Sequence, residues 1–159
     1  MLALALSSLL GCTGSVADDT ALDTAPVVAT GPGTLALSFR MDDDYLATMA
    51  KAGESPVGPF YGSCFKEEDA SATGPVDGAV PLFDIEVALD LSADGGPTGV
   101  LYTTEPLEPQ IVWILGCLDA DANGCEEADP ITLPNENKFQ IAAEAETPIE
   151  IYFGMLNPS

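Results

Sequence analysis

The sequence predicts an all-β fold, a single antiparallel β-sandwich of about seven strands with a short helix after the first strand. Two observations carry that expectation. From Thr34 onward, apolar residues recur at every second position, the period of an extended strand with one buried face. The alternating runs are also short, and clusters of Gly, Pro, Asp and Asn separate them, the residues that tight turns require.

The elements follow in order. Leu35, Leu37, Phe39 and Met41 alternate with small or polar partners and predict the first strand. Asp42-Asp43-Asp44 before Tyr45, Leu46 and Met49 predicts a helix of one or two turns, because acids favour a helix N-terminus. Val57 to Lys66 carries Phe60, Tyr61 and Phe65 and reads as a second strand. Phe83, Ile85, Val87, Leu89 and Leu91 alternate with Asp84, Glu86 and Asp90, the clearest half-buried strand, which Ser92 to Pro97 ends as a turn. Val100 and Tyr102 mark a short strand. Gln110 to Leu118 is apolar on both faces and predicts a central strand with Trp113 in the core. Short strands are expected around Ile131-Thr132-Leu133 and at Phe139 and Ile141, then a last one through Ile149, Ile151, Phe153 and Met155. Ala142 to Glu146 is locally helix-prone, although Pro148 rules out a long helix.

Chemistry concentrates in one loop. Asp119, Asp121 and Asn123 fall at positions 1, 3 and 5 with Gly124 at 6, a spacing that turns alternate side-chain oxygens toward one hard cation. The carbonyl of Cys125 would add a ligand at position 7, and Asp129 at position 11 would close the shell, with Glu127 as its substitute. Structural calcium is the expected ion. The loop departs from an EF-hand in having Pro130 at position 12 and a strand, not a helix, leading in. The competing reading is a plain hairpin turn at Asn123-Gly124 with solvated aspartates. Cys117 and Cys125 bracket the loop and are the favoured disulfide pair; a Cys64–Cys117 bridge and free thiols are the alternatives.

The Leu107–Pro109 turn, the apolar Ile111–Leu118 segment, the Asp119–Gly124 loop and the stretch Asp129-Pro130-Ile131-Thr132-Leu133-Pro134 together resemble prealbumin-like sandwiches, among them carboxypeptidase regulatory-like modules and relatives in bacterial lipoproteins. The resemblance covers only part of the domain. It implies a non-catalytic accessory module of immunoglobulin- or prealbumin-like architecture and specifies no ligand.

The N-terminal residues read as an address. Leu2 to Leu10 is apolar but far short of the ~20 residues that span a bilayer, and suits the core of a signal peptide. Its end, Leu9-Leu10-Gly11-Cys12, resembles the lipobox of bacterial lipoproteins, which implies cleavage before Cys12 and acylation of that cysteine. Met1-Leu2-Ala3 lacks the positive charge that opens a signal peptide, so the true start is expected upstream. Residues 1–11 are therefore assigned to a signal peptide, 12–33 to the lipidated cysteine and an acidic tether, and 34–159 to the β domain. As a flexible coil the tether would reach about 25 Å. The expected location is the bacterial cell envelope, anchored in the outer membrane through Cys12, since Thr13 carries no acidic inner-membrane retention cue.

Charge and composition exclude several functions. The net charge is −22, with Arg40, Lys51, Lys66 and Lys138 the only cations, so the chain has too little positive charge to neutralise a nucleic-acid backbone. No histidine is present, which removes the commonest general base and zinc ligand. The expectation is a non-enzymatic envelope module with a protein or glycan partner. A carbohydrate-binding module using exposed tyrosines is the first rival, and a small carboxylate hydrolase the second.

Overall fold

The computed structural model describes residues 29–126 and 129–154; the expected signal peptide, Cys12, Glu127 and Met155 lie outside the described residues. In chain order the elements are β1 (Thr34–Met41), α1 (Asp43–Ala52), β2 (Val57–Lys66), β3 (Ala70–Ser71), β4 (Gly74–Pro75), β5 (Phe83–Asp90), β6 (Tyr102–Thr103), β7 (Ile111–Leu118), β8 (Ile131–Thr132), β9 (Lys138–Gln140) and β10 (Glu146–Gly154). The chain is mostly β. One sheet runs in the order β5-β2-β7-β8-β10-β1-β6, with β9 also on β7, while β3 and β4 form a separate small hairpin.

That path differs from two stacked antiparallel sheets in two respects. The two-residue β8 bridges β7 and β10, through Cys117 opposite Ile131 and Thr132 opposite Phe153, so the strands join into one sheet nearly closed into a barrel. Its curl brings Phe39 of β1 within 5.3 Å, ring to ring, of Phe60 of β2, although the strands stand four places apart in the order. The second difference corrects the all-antiparallel expectation: β1 and β10 pair in parallel along their length, from Thr34 opposite Glu146 to Met41 opposite Phe153. A parallel pair needs a long crossover, and here everything between the first and last strands supplies it. Alternation in a sequence reports which face is buried but is blind to strand direction.

The core follows the alternation. Leu35, Leu37, Phe39 and Met41 of β1 are fully buried and meet Ile85 and Leu89 of β5 and Ile149, Ile151 and Phe153 of β10. Phe39, Phe60 and Phe153 pack mutually at its centre. Gly62 and Gly116 face each other across β2 and β7, and the Phe60 ring occupies the space their side chains would take. The bare backbone of that pair is what admits a full aromatic ring against the sheet. Trp113 is buried, but on the opposite face of β7, in a second cluster with Phe65, Ala70 and Leu115, where its Nε1 donates to the Glu67 carbonyl. Strand β7 is central as expected, flanked by β2 and by β8 and β9, and its two apolar faces serve two separate cores.

Helix α1 is longer than expected, at ten residues. Asp42 caps it, accepting from the backbone N–H groups of Asp44 and Tyr45; Asp43 and Asp44 favour the first turn, and Gly53, at φ 80°, ends the helix in the left-handed conformation. Met49 is buried, and Tyr45 and Leu46 pack on the main core. Ala142 to Glu146 forms a turn, not a helix, because the Glu144 N–H bonds to Gly31 and the Ala145 carbonyl accepts from Thr34 as β1 begins.

The Asp42 cap also accepts the Tyr152 hydroxyl at 2.8 Å, which ties α1 to β10. That bond, with the bond from the Tyr45 backbone, holds the Asp42 carboxyl below its ordinary range and raises the Tyr152 phenol. The signs give a window. Asp42 contributes stability above its unfolded-state pKa, lost as pH falls through its lowered folded value; Tyr152 contributes below its unfolded-state pKa, lost as pH rises through its raised one. Tyr152→Phe should therefore cost about 1 kcal/mol at pH 7, the charged-bond value discounted for exposure. Denaturant melts of both chains should converge in acid once Asp42 is protonated; a constant difference down to that range would contradict the assignment.

Candidate functional site

Two strand-end hydrogen bonds, a close backbone approach and a disulfide set the acidic loop in place. Leu118 donates its N–H to the Pro130 carbonyl, and Asp119 donates to the Pro59 carbonyl of β2, so both ends of the loop are pinned to the sheet. Gly58 faces the Asp119 backbone so closely that any Cβ there would overlap its carbonyl. The disulfide between Cys117 and Cys125, with Cα atoms 6.0 Å apart, closes the loop across eight positions. Cys64 is a free thiol buried in the main core, and burial pushes its pKa up to about 12. It sits on the core face of the sheet, whereas Cys117 belongs to the other face, beside the Tyr61 carbonyl.

Within the loop the structure brings together Asp119, Asp121 and Asp129, whose carboxylate oxygens lie within 4.8 Å of one another. Asp119 is buried, Asp129 half-buried and Asp121 exposed. Ala122 at φ 61° and Gly124 at φ 95° turn the backbone left-handed, which aims successive N–H groups inward. Asn123 donates its backbone N–H to Asp119 Oδ1 at 3.1 Å and to Asp121 Oδ1 at 3.3 Å, and Gly124 donates to Asp119 Oδ2 at 3.2 Å. The Asn123 side-chain amide donates to Asp121 Oδ2 at 2.7 Å, so this residue enters the cluster as a donor. Asp129 accepts from Glu126 at 2.8 Å and from Ala120 at 3.4 Å. A carboxylate offers about four acceptor sites, so each aspartate keeps lone pairs for a cation after accepting these bonds. Cys125 holds its loop position through the disulfide.

A cavity of about 320 Å³ adjoins the loop, between Gly53, Glu54 and Ser55 after α1 and Asp121, Asp129 and Pro130. The nearby Tyr45 phenol is raised by burial first, then by the negative charges of Glu54 and Asp129.

On the other side of the disulfide a larger groove of about 710 Å³ lies across the outer face of β5, β2 and β7, lined by Tyr61, Ser63, Asp84, Glu86, Leu115 and Ile131 among others. Sequence reasoning did not find it. Pro75 of the β3–β4 hairpin also lines it, from a segment with no alternation to announce it; the outward run of Asp84 and Glu86 was the signal in the sequence. The chain's four tyrosines, the candidates for a sugar platform, stand on four elements: Tyr45 on α1, Tyr61 on β2, Tyr102 on β6 and Tyr152 on β10. Among the described residues, no helix is long and apolar enough to cross a membrane.

Comparison of the chain with protein-family models, with curated proteins and with solved structures finds no match.

Proposed function

We propose that the chain is a non-enzymatic bacterial lipoprotein, anchored in the outer membrane through acylated Cys12, whose immunoglobulin- or prealbumin-like β domain serves as a structural, adhesion or accessory module with a calcium-stabilised loop. The observation that carries this reading is the Cys117–Cys125 disulfide. Such bridges persist in oxidising compartments, which supports an exported chain and agrees with the lipobox-like Leu9 to Cys12. The start of β1 at Thr34, directly after the acidic stretch, supports a tether ahead of a folded head. Multiple acyl chains, at about 0.8 kcal/mol per buried methylene, would hold it to the membrane stably.

Metabolic labelling with an alkyne palmitate analogue tests the anchor. The wild-type chain should take label and fractionate with membranes, and Cys12→Ala should lose the label and its membrane association; label retained in that variant would remove the proposal.

Calcium would bind Asp119, Asp121 and Asp129 and relieve their mutual repulsion. With an extracellular-type Kd of roughly 0.1–1 mM, 10 mM calcium should stabilise the domain by about 1.4–2.7 kcal/mol. Thermal melts in calcium and in EDTA should differ accordingly, and the Asp121→Asn/Asp129→Asn chain should not respond. Coincident wild-type melts would leave the loop a plain turn.

The rival readings have less support. Of the four tyrosines only Tyr61 is exposed, while Tyr45, Tyr102 and Tyr152 are half-buried, which gives little support to an open sugar platform. The Ser63 hydroxyl in the groove donates to Asp84 at 2.7 Å, and no histidine exists to activate it.

A further inference from the structure

The groove over β5, β2 and β7 combines an apolar floor with charge of one sign. Leu115, Ile131 and Pro75 contribute its apolar surface, whereas among the described residues Asp84 and Glu86 are the only charged ones along it. Both acids are exposed and stand two positions apart on β5, so they share its outer face. Register places Glu86 directly opposite Tyr61 and Asp84 directly opposite Ser63 on β2. Side chains of such cross-strand partners lie side by side, so an exposed aromatic ring and a carboxylate flank the same spot. A lysine or arginine head placed there meets a negative charge and a ring face together. The Ser63 hydroxyl, by donating to Asp84, fixes that second carboxylate toward the groove.

The floor does not end at the hairpin. A smaller cavity of about 210 Å³, also lined by Ala72 to Gly74, shares Pro75, Leu115, Gly116 and Ile131 with the groove and continues to Thr132 and Pro134. The result is a cleft lined from the acids of β5 to β8, with Pro75 of the β3–β4 hairpin common to both parts. At about 710 Å³ its main chamber falls within the roughly 300–1,000 Å³ of ligand sites, and a lining that runs from β5 to β8 suits a chain laid across the strands.

We propose that this cleft is a docking site for a basic, extended segment of a partner protein, with one or two lysine or arginine side chains held by Glu86, Asp84 and Tyr61 and an apolar side chain seated on Leu115 and Ile131. Charge complementarity selects the occupant: anionic ligands are repelled, and a second copy of this acidic chain would bring like charge to the wall. The inference names the partner that the proposed accessory role calls for. It is measured in solution, so its failure is separable from failure of the lipid anchor or of the calcium loop.

The test is titration of the full chain with the capped pentapeptide Lys-Leu-Lys-Leu-Lys, read by amide chemical-shift mapping and calorimetry. Shifts should concentrate on β2, β5, β7 and β8. Asp84→Asn/Glu86→Gln should weaken binding at least tenfold, while Glu105→Gln/Glu108→Gln, the same charge change at exposed positions outside the cleft, should change it less than twofold. Ser63→Trp, which fills the chamber, should abolish binding; thermal melts of each variant confirm that it is folded. Equal losses in the two charge variants would reduce the interaction to general attraction and overturn the proposal. Equal affinity for the neutral peptide Ser-Leu-Ser-Leu-Ser would make the cleft an apolar site and overturn it as well. So would nuclear Overhauser contacts from residues 1–28 into the cleft of the free protein, which would assign it to the chain's own segment.

Discussion

Asn137→Ala is expected to destabilise the domain by about 3–5 kcal/mol, enough to lower its melting temperature by on the order of 10 °C or more. Asn137 is fully buried, and its side chain makes three hydrogen bonds of 2.8 Å. Its Nδ2 donates to the carbonyls of Leu133 and Tyr152, and its Oδ1 accepts the Tyr152 N–H. The side chain thus acts as a piece of sheet, pairing with β10 just beyond the two residues of β8. Alanine leaves the Tyr152 N–H without this partner, at roughly 1–3 kcal/mol, and removes a bond of about 1 kcal/mol from each of the Leu133 and Tyr152 carbonyls, which keep their bonds from Glu136 and Leu133. Asn137→Asp should be at least as harmful, since a carboxylate cannot donate to the two carbonyls and brings a buried charge. Urea unfolding of the three chains decides the matter. A loss below about 1 kcal/mol for alanine would mean that water or a backbone shift replaces these bonds.

The second large effect lies at the aromatic centre. Phe60→Ala should cost about 3–5 kcal/mol, toward the upper part of that range, because Gly62 and Gly116 have no side chains with which to collapse into the hole. Gly62 offers a sharper check. A Cβ there meets the Phe60 ring, and the next atom is the Leu115 carbonyl oxygen at 3.3 Å. Gly62→Ala alone should therefore cost about 1–3 kcal/mol by overpacking, yet be close to neutral in the Phe60→Ala background. The coupling, at least about 1 kcal/mol and favourable, is read from a double-mutant cycle of denaturant melts. Gly116→Ala should show no such rescue, because its Cβ also overlaps the Tyr61 carbonyl and the Gly62 backbone. Additive costs for Phe60 and Gly62 would show that the ring does not occupy the glycine pair's space.

How far these features were readable depends on whether a local pattern encodes them. Strands β1, β2, β5, β7 and β10 announce themselves by alternation or by continuous apolar runs, since each buries its own face. The helix was read too short: its caps at Asp42 and Gly53 were present, but only Met49 is fully buried, so its apolar stripe is faint. The Asp119, Asp121 and Asp129 cluster was readable because loop spacing within one segment determines it. The direction of β10, the joining of the sheet through β8, and the cleft were not, because each depends on residues far apart in the chain. Trp113 illustrates the limit: its burial is evident from a run apolar on both faces, but which core it enters depends on a distant hairpin.

The parallel seam between the first and last strands has a consequence for biogenesis. β10 sits between β1 and β8, so synthesis from the N-terminus leaves β1 without its main neighbour until residues 146–154 have been made. Contacts of such wide separation carry a large loop-closure cost and form late. For a chain exported as proposed, the seam cannot shut before residues 146–154 emerge, so the segments ahead of them would remain open to threading through a translocation pore.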